Sequence, residues 1–599
     1  MHDEASAHYV SMIDQTTLGH EFLKRELDYY PRVGWQIDPF GHSKTHAWLS
    51  SEVGFDALFF GRIDYQDHNL RMDESRMEMV WKGSKASPDV QVFTGAFQDG
   101  NYGPPSGFCF DTSCGYCRSD PVVSDPHLST YNIDTKVDQF IAAILEEKSH
   151  SVGSNIMFKM GSDFAWDNAH TWFKSIDKII EAVNAQDDRF EVFYSTPENY
   201  MLAKAQENIV WTDKSDDFFP YSDCEHCFWA GYFTSRPTLK YMERGSSSFL
   251  QAVKQVSSAK HNRDKKLASQ ETVSKFTAAV GLINHHDAMT GTSKQHVADD
   301  YMKIISSART ESEAFLSSIV ASPLDPLVYS YCRLANESFC EVTQSLVVGE
   351  TGVVLVYNPL PRSRTEQVSV YLSDIVRSPL VRVSVSALSS GDNVQAKLVP
   401  SDVMPTAPFS PNPSAAPYTL VFSAENLPPL SSTRFLVRLD DYSSITDKSA
   451  ESAVATEEYV EEVGEPLVIS NDKVAVTFSR ATGLMTSISL SDGTASAEVS
   501  NELRYYKSFG SPGMAGYKYS KVDKRDPHLQ NIKPSSQNIG AESMQASGAY
   551  IFRPSLPDEE PAPVAEKDAL SRVAEISVVR GKNVIEVRQV VSITLLTKF

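Results

Sequence analysis

Short apolar runs alternate with helical patterns over the N-terminal third of the chain. Residues 55–63, 155–160 and 190–194 have the composition of buried strands, and residues 137–147 and 172–185 place apolar side chains at helical spacing. Strands separated by helices at this spacing are typical of parallel βα units. We therefore predict an α/β domain in this part of the chain.

The pattern changes to continuous helical periodicity further along. Residues 238–260, 270–286 and 295–318 form three such segments, separated by short polar breaks. Three adjacent amphipathic helices with short connections predict a three-helix bundle.

Strand patterns dominate the remaining part. Residues 352–357, 368–372, 467–478, 484–490 and 584–593 are rich in β-branched and aromatic side chains. Stretches rich in Pro, at 401–417 and 557–567, punctuate them as loops. We predict an all-β, sandwich-like region here.

These three patterns divide the chain into three predicted domains. With 599 residues, the chain is too long for one hydrophobic core. We place an α/β domain at 1–210, a helical middle domain at 211–320 and a β domain at 340–599. The fold class is therefore multidomain α+β.

Composition and charge narrow the function. The net charge of -22 is opposite to what a nucleic-acid-binding protein needs, so we exclude nucleic acid as a partner. No run of eighteen apolar residues predicts a transmembrane helix, and the first residues lack the basic and apolar regions of a signal peptide.

Cysteine usage nevertheless suggests an oxidising compartment. Cys109 and Cys114 are closely spaced, and Cys332 and Cys340 flank a glycosylation acceptor at Asn336. Both pairs are candidate small-loop disulfides. The C-x-x-C formed by Cys224 and Cys227 could be a local disulfide or two free thiols, since no second pair completes a zinc site.

Two acidic residues follow predicted strands. Residues 34–43 read G-W-Q-I-D-P-F-G-H-S, so an apolar approach delivers Asp38 before Pro39 ends the strand. Asp163 comes directly after residues 155–160 and the turn M-G-S. Two carboxylates at strand ends are the equipment of glycoside hydrolysis. An Asp in this position is also an ordinary turn former or helix N-cap, and both interpretations stay open.

His285, His286 and Asp287 form a second chemical cluster. Carboxylate and imidazole together are ligands for a divalent metal, zinc above all. Because adjacent histidines on a helix cannot both face one point, we expect one to bind metal and the other substrate. A His pair at a helix C-terminus also complements the helix dipole without any metal.

Arg62 and Phe40 are further candidates. Arg62 follows a predicted strand and either clamps a polar substrate or pairs with Asp64. Phe40 is close in sequence to Asp38 and fits either a substrate wall or the core.

The order of these motifs resembles glycoside hydrolase family 38, and within it the lysosomal rather than the Golgi type. The matching blocks are G-W-Q-I-D-P-F-G-H-S, F-F-G-R-I-D-Y-Q-D, M-G-S-D-F, Y-S-T-P and H-H-D-A-M-T-G-T-S-K-Q-H-V. The resemblance implies an α/β barrel of the seven-stranded type, incomplete here, as the catalytic domain.

Members of this family are retaining, zinc-dependent exo-α-mannosidases that act on N-glycans and related oligosaccharides. By motif, Asp38 resembles the nucleophile and a zinc contact, and Asp163 resembles the general acid/base. His286 resembles a zinc ligand. The resemblance gives substrate contacts to Phe40, Arg62, His285 and Asp287. It also implies a lysosomal or vacuolar location, or passage through the secretory pathway, with mannose-containing glycans as partners.

The resemblance also has departures. The family's early His-x-Asp pair, which supplies two more zinc ligands, has no counterpart here, since His2-Asp3-Glu4 lies in a different context. We therefore expect a chain that is truncated at both ends, binds metal weakly and has little activity. Two alternatives are a degenerate family member that only binds carbohydrate, and an unrelated zinc amidohydrolase built on the residues 285–287.

Overall fold

The computed structural model describes most of the chain, in two compact units. The described residues are 1–224, 227–259, 266–320, 327–335, 338–401, 415–441, 455, 457–501, 504–506, 508, 546–554, 562–563, 574–580 and 585–591. The first unit comprises Met1–Leu250, Ser274–Ala308 and Lys507–Asp558, and the second comprises Gln251–Val273, Arg309–Tyr506 and Glu559–Phe599. The three-domain division remains a prediction.

A mixed five-stranded sheet forms the centre of the first unit. Its strands are β1 (Val33–Gln36), β2 (Ala57–Phe60), β3 (Glu78–Trp81), β4 (Val92–Ala96) and β5 (Thr212–Lys214), in the order β1-β2-β4-β3-β5. The pairs β1/β2, β2/β4 and β3/β5 are parallel, which confirms the predicted parallel arrangement in part, whereas β3/β4 is antiparallel.

The strand β2, which lies between β1 and β4, is buried on both faces. Leu58 and Phe60 belong to one apolar cluster and Ala57 and Phe59 to another, and all four side chains are at most 1% exposed. Full burial of a Leu or Phe side chain stabilises the folded state by about 1.5–3 kcal/mol. The buried side chains of β2 therefore hold this part of the sheet in place.

Helices of this unit connect the strands, and one of them, α2, packs beside β2 and β4. They are α1 (Tyr9–Leu27), α2 (Lys44–Glu52), α3 (Tyr65–Asp73), α4 (Ile133–Ser149), α5 (Ala169–Gln186) and α6 (Pro197–Gln206). The helices α4 and α5 confirm the predicted segments 137–147 and 172–185. Their apolar faces, which include Val137 on α4 and Trp172 on α5, pack in one core with Phe108.

The predicted strands 155–160 and 190–194 are wrong for the described residues, because neither segment joins a ladder. Side chains from elsewhere in the unit form hydrogen bonds with backbone groups of these two segments instead. The Asn184 side chain bonds both the N–H and the carbonyl of Val192, each at 2.8 Å, and the Trp166 indole donates to the Met160 carbonyl at 2.8 Å.

Three long helices follow, as predicted. They are α7 (Pro237–Ala259), α8 (Lys266–Ile283) and α9 (Gln295–Val320). The second ends three residues before His286, so the His pair lies in a turn rather than on the helix. A short helix, α10 (Glu341–Gln344), precedes the β region.

The second unit is rich in antiparallel strands. They are β6 (Thr351–Asn358), β7 (Arg364–Leu372), β8 (Val381–Ala387), β9 (Asn393–Val394), β10 (Ala396–Pro400), β11 (Tyr418–Leu427), β12 (Ser431–Asp441), β13 (Glu457–Tyr459), β14 (Leu467–Ser470), β15 (Val474–Phe478), β16 (Met485–Leu490), β17 (Ser496–Glu498), β18 (Arg504–Tyr505), β19 (Ala562–Pro563), β20 (Ala574–Arg580) and β21 (Ile585–Val591). The predicted single strand 467–478 is the hairpin β14–β15.

One apolar cluster in this unit draws side chains from two sheets. The sheet β6-β12-β8-β9 contributes Phe435 and Val437, and the sheet β10-β11-β7 contributes Leu420 and Phe422. The prediction of a multidomain fold that combines helices and strands is confirmed, and none of the described sheets closes on itself. The barrel, the bundle and the sandwich remain predictions.

Candidate active site

Asp38 lies just beyond β1, where the chain turns sharply. Gly41 adopts a φ of 104°, and a Cβ there would lie 2.6 Å from the ring of Phe219. Only glycine fits that position without strain. The turn therefore holds Asp38 at the carboxyl end of the sheet, as the strand-end argument predicts.

A guanidinium group and an imidazole hold the Asp38 carboxylate. Arg62 contacts Oδ1 through Nε at 2.8 Å and Nη2 at 2.5 Å, and His286 Nε2 lies 3.0 Å from Oδ2. Burial alone would raise the pKa of Asp38, but the hydrogen bond with His286 and the charge of Arg62 outweigh it and lower that pKa. Asp38 is therefore an ionised carboxylate in a fixed orientation.

Arg62 pairs with Asp38 rather than with Asp64. The Asp64 carboxylate instead caps α3 by accepting from the backbone N–H groups of Gln66 and Asp67. Arg62 thus holds the candidate nucleophile, a contact that neither alternative from the sequence predicted, and a substrate contact of Arg62 remains a prediction.

His286 has a defined orientation and tautomer. Its Nδ1 lies 3.2 Å from the Met1 carbonyl, and since a carbonyl only accepts, Nδ1 is the donor. Nε2 then faces the Asp38 carboxylate at 3.0 Å, and two such groups need a shared positive species, either a proton or a metal cation. Burial opposes the charged imidazole, but the Asp38 contact outweighs it and raises the pKa of His286.

The two neighbours of His286 complete a set of possible metal donors. One donor atom each from His285, His286 and Asp287 lies within 4.8 Å of the others, and Asp287 Oδ2 is 3.7 Å from His286 Nε2. Together with Asp38 these nitrogen and carboxylate donors could hold a divalent metal ion. Both histidines lie past the helix end, where helical spacing does not set the ring positions. That one of them binds metal and the other substrate remains a prediction.

Asp163 lies in an exposed turn after residues 155–160. Its Oδ1 accepts a hydrogen bond from the Tyr102 hydroxyl at 3.1 Å. The turn contains two aromatic residues with left-handed backbone, Phe164 at φ 57° and Trp166 at φ 73°, a conformation that bulky residues rarely adopt and that clusters at functional sites. Asp163 and Tyr102 line a cavity of about 890 Å³.

Aromatic rings surround the Arg62 guanidinium. Its Cζ lies 5.8 Å from the Phe40 ring centroid, 5.6 Å from that of Trp229 and 5.9 Å from that of Tyr102. Phe40 itself is only 3% exposed and packs with Tyr550. The structure thus places Phe40 as packing behind the clamp.

A buried carboxylate below the turn was missed from the sequence. Glu4 accepts from the Ser43 N–H at 2.8 Å and from Gln36 at 3.1 Å, and it contacts His42 at 2.9 Å. Burial opposes its ionisation, but the charges of His46 and His42 outweigh it and lower the pKa of Glu4 to about 2. Glu4 therefore anchors both ends of the Asp38 turn. The early H-D-E sequence was the signal for this role.

Tyr102, Trp229 and Tyr550 were also missed. Each lies in an irregular segment remote in sequence from the residue that it contacts, and no local pattern marks it.

The candidate disulfides are confirmed. Cys109–Cys114 and Cys332–Cys340 are bonded, as is Cys224–Cys227. The predicted glycosylation acceptor Asn336 lies outside the described residues. Among the helices that the structure describes, none is long and apolar enough to cross a membrane.

Two family models match the chain. Residues 1–224 match the N-terminal domain of glycosyl hydrolases family 38, and residues 227–322 match the alpha mannosidase middle domain. The protein is therefore of the glycosyl hydrolase class. The chain belongs to glycoside hydrolase family 38.

Curated relatives agree with these matches. A probable alpha-mannosidase of Arabidopsis thaliana is 38% identical over 92% of this chain and 52% of its own length. The lysosomal alpha-mannosidases of Dictyostelium discoideum and Homo sapiens are 32% and 34% identical over 92% and 98% of this chain, and over 52% and 53% of their own lengths. The chain thus spans about half the length of the curated relatives that it matches.

A solved structure shares the fold. The alpha-mannosidase from Enterococcus faecalis V583 aligns with a TM-score of 0.54 and 13% identity, covering 97% of this chain and 57% of that one.

Proposed function

We propose that this protein is a retaining, zinc-dependent exo-α-mannosidase. The observation that carries the proposal is the fixed, ionised Asp38, held by Arg62 and facing His286. Asp163 accepts a hydrogen bond from Tyr102, whose ring lies beside Arg62. Two carboxylates in different environments, Asp38 held by Arg62 and Asp163 exposed in a turn, are what a two-step glycosidase uses.

In the first step, Asp38 Oδ attacks the anomeric carbon and the glycosidic C–O bond breaks. Asp163 gives its proton to the departing oxygen, so the aglycone leaves neutral and Asp163 becomes a carboxylate. In the second step, Asp163 takes a proton from water while that water attacks the anomeric carbon. The bond to Asp38 breaks, and mannose leaves with retained α configuration.

Asp38 and His286 would hold the zinc ion, with His285 and Asp287 beside them. When bound, zinc supplies positive charge for sugar hydroxyls. Arg62 keeps Asp38 oriented whether or not metal is present, since it binds the other carboxylate oxygen.

The names of the relatives support a substrate class and a location. Several are named lysosomal alpha-mannosidases, which supports mannose-terminated N-glycans or oligosaccharides as substrates and a lysosomal or vacuolar site of action. The disulfides fit an oxidising route to that compartment.

Hydrolysis of an aryl α-mannoside with added zinc at mildly acidic pH tests the proposal. Even slow turnover should disappear in Asp38→Asn and persist in Asp134→Asn, a matched change in a surface carboxylate bonded to Tyr131. NMR of the first product should show the α anomer. Absence of turnover, turnover unaffected by Asp38→Asn, or a β product would contradict the assignment.

A further inference from the structure

Tyr102 lies between the two candidate catalytic carboxylates. Its hydroxyl donates to Asp163 Oδ1 at 3.1 Å, and its ring centroid is 5.9 Å from Cζ of Arg62, which binds Asp38. Tyr102 therefore contacts Asp163 through its hydroxyl and the Arg62–Asp38 pair through its ring.

The Tyr102 hydroxyl acts as a hydrogen-bond donor to Asp163. Burial and the negative charges of Asp38 and Asp163 raise the pKa of Tyr102 well above its ordinary value. The hydroxyl therefore keeps its proton throughout the range in which glycosidases work, and it always presents that proton to Asp163.

The backbone that carries Tyr102 is itself held in place. Asn101 Oδ1 accepts from the Tyr102 N–H at 2.9 Å, and Asp99 accepts from the Asn101 N–H at 3.2 Å and pairs with Lys159 at 2.6 Å. Gly61, next to Arg62, packs so closely that a Cβ would lie 3.3 Å from the Asn101 backbone. The loop is therefore seated against the strand end that provides Arg62.

We propose that Tyr102 is a positioning residue for the general acid. It occupies Oδ1 of Asp163, which leaves Oδ2 for the proton that goes to the departing oxygen, and its ring holds this carboxylate in place relative to the Arg62–Asp38 pair. The inference rests on the proposed function. The groups facing Asp163 through this contact are Tyr102 and, beyond it, Arg62 and Asp38.

Removal of the hydroxyl should therefore affect proton delivery more than binding. A positioned general acid contributes about 10²–10⁴-fold, and its contribution shrinks as the leaving group needs less protonation. In Tyr102→Phe we expect kcat/KM for a poorly activated aryl α-mannoside to fall about 10²-fold. With a strongly activated nitrophenyl leaving group, the loss should be only a few-fold.

The test compares both substrates across four proteins: the unmodified chain, Tyr102→Phe, Asp163→Asn and Tyr131→Phe. Tyr131 is the matched control, because its hydroxyl also donates to an aspartate, Asp134, at 2.8 Å. Tyr102→Phe should show the same selective loss as Asp163→Asn, in smaller degree, with KM for the activated substrate unchanged. Equal losses on both substrates would overturn the inference, since a purely structural role does not depend on the leaving group.

A crystal structure of Tyr102→Phe decides the point independently of turnover. The Asp163 carboxylate should rotate away from its present orientation. An unmoved carboxylate would overturn the positioning role, even if the chain hydrolysed no mannoside. Failure of the unmodified chain to hydrolyse either substrate would instead count against the proposed function.

Discussion

Lys204 is a fully buried cation whose removal should destabilise the first unit. Its side chain is 1% exposed, and Nζ lies 2.9 Å from Glu78 Oε2 and 3.4 Å from Glu207 Oε2. The same ammonium donates to the carbonyls of Val152 at 2.5 Å and Asn155 at 3.3 Å. One charge thus ties α6 and β3 to the segment that leads to Asp163.

Lys204→Met keeps an unbranched apolar side chain, one heavy atom shorter than that of lysine, and removes the charge. Glu78 and Glu207 then lose the cation that lies between them. The carbonyls of Val152 and Asn155 lose a hydrogen-bond donor. Glu207 stays ionised: burial opposes this, but the N–H groups of Asn155 and Ser154 outweigh it and lower the pKa of Glu207 to about 2. Removing one partner from a buried ion pair costs about 3–5 kcal/mol, and we expect a loss of that size.

Urea unfolding at pH 7 measures this loss. Trp211 provides a local fluorescence signal, since Lys204 Nζ is 5.2 Å from its ring centroid. The matched control is Lys82→Met, which breaks a pair with Asp213 whose side chains are 36% and 61% exposed. Exposed pairs contribute about 0–1 kcal/mol. A Lys204→Met variant that loses no more stability than Lys82→Met would refute the reasoning.

Three further changes test the site and its surroundings. Arg62→Lys keeps the charge but loses the paired contact with Asp38. The kcat/KM on an aryl α-mannoside should therefore fall by about 10²-fold, while the thermal midpoint of unfolding barely moves. Unchanged kinetics would argue against a role of Arg62 in holding Asp38. Added zinc should raise the thermal midpoint of the unmodified chain and not that of His286→Ala; equal shifts would place the metal elsewhere. Burial raises the pKa of Glu147 from 4.5 to about 7, so its contribution to stability is full below about pH 4.5 and is lost as pH rises through 7. Glu147→Gln should therefore gain about 3 kcal/mol relative to the unmodified chain at pH 8 and nothing at pH 4, by urea unfolding at both pH values; a pH-independent gain would rule out this titration.

The positions of Asp38 and Arg62 just after β1 and β2 could be predicted from the sequence. Each follows a buried apolar run that ends near a Pro or Gly, and such residues end a strand. Because β1, α2 and β2 follow one another and the two strands are parallel, both residues come to the same edge of the sheet, and the structure joins them. Helix predictions also held for α4, α5 and α7–α9, where apolar spacing is regular over at least four turns.

The failures have a different physical origin. Residues 155–160 have strand composition, but a strand needs a neighbouring ladder, and sequence composition does not specify one. The helix α1 was not anticipated, because only Ser11, Met12 and His20 are buried along it and its apolar face is weak. Tyr102 meets Asp163 across 61 residues of chain through loop geometry alone.

Because a disulfide between Cys109 and Cys114 closes a small loop, the activity of the protein should depend on the host in which it is produced. The loop contains Asp111, whose Oδ2 accepts from the backbone N–H of Trp166 at 3.0 Å and from the indole of Trp172 at 3.1 Å. Trp166 belongs to the same turn as Asp163. In a reducing cytosol the loop would open and this support would loosen, so two preparations of identical sequence should differ in specific activity according to the compartment in which they were made.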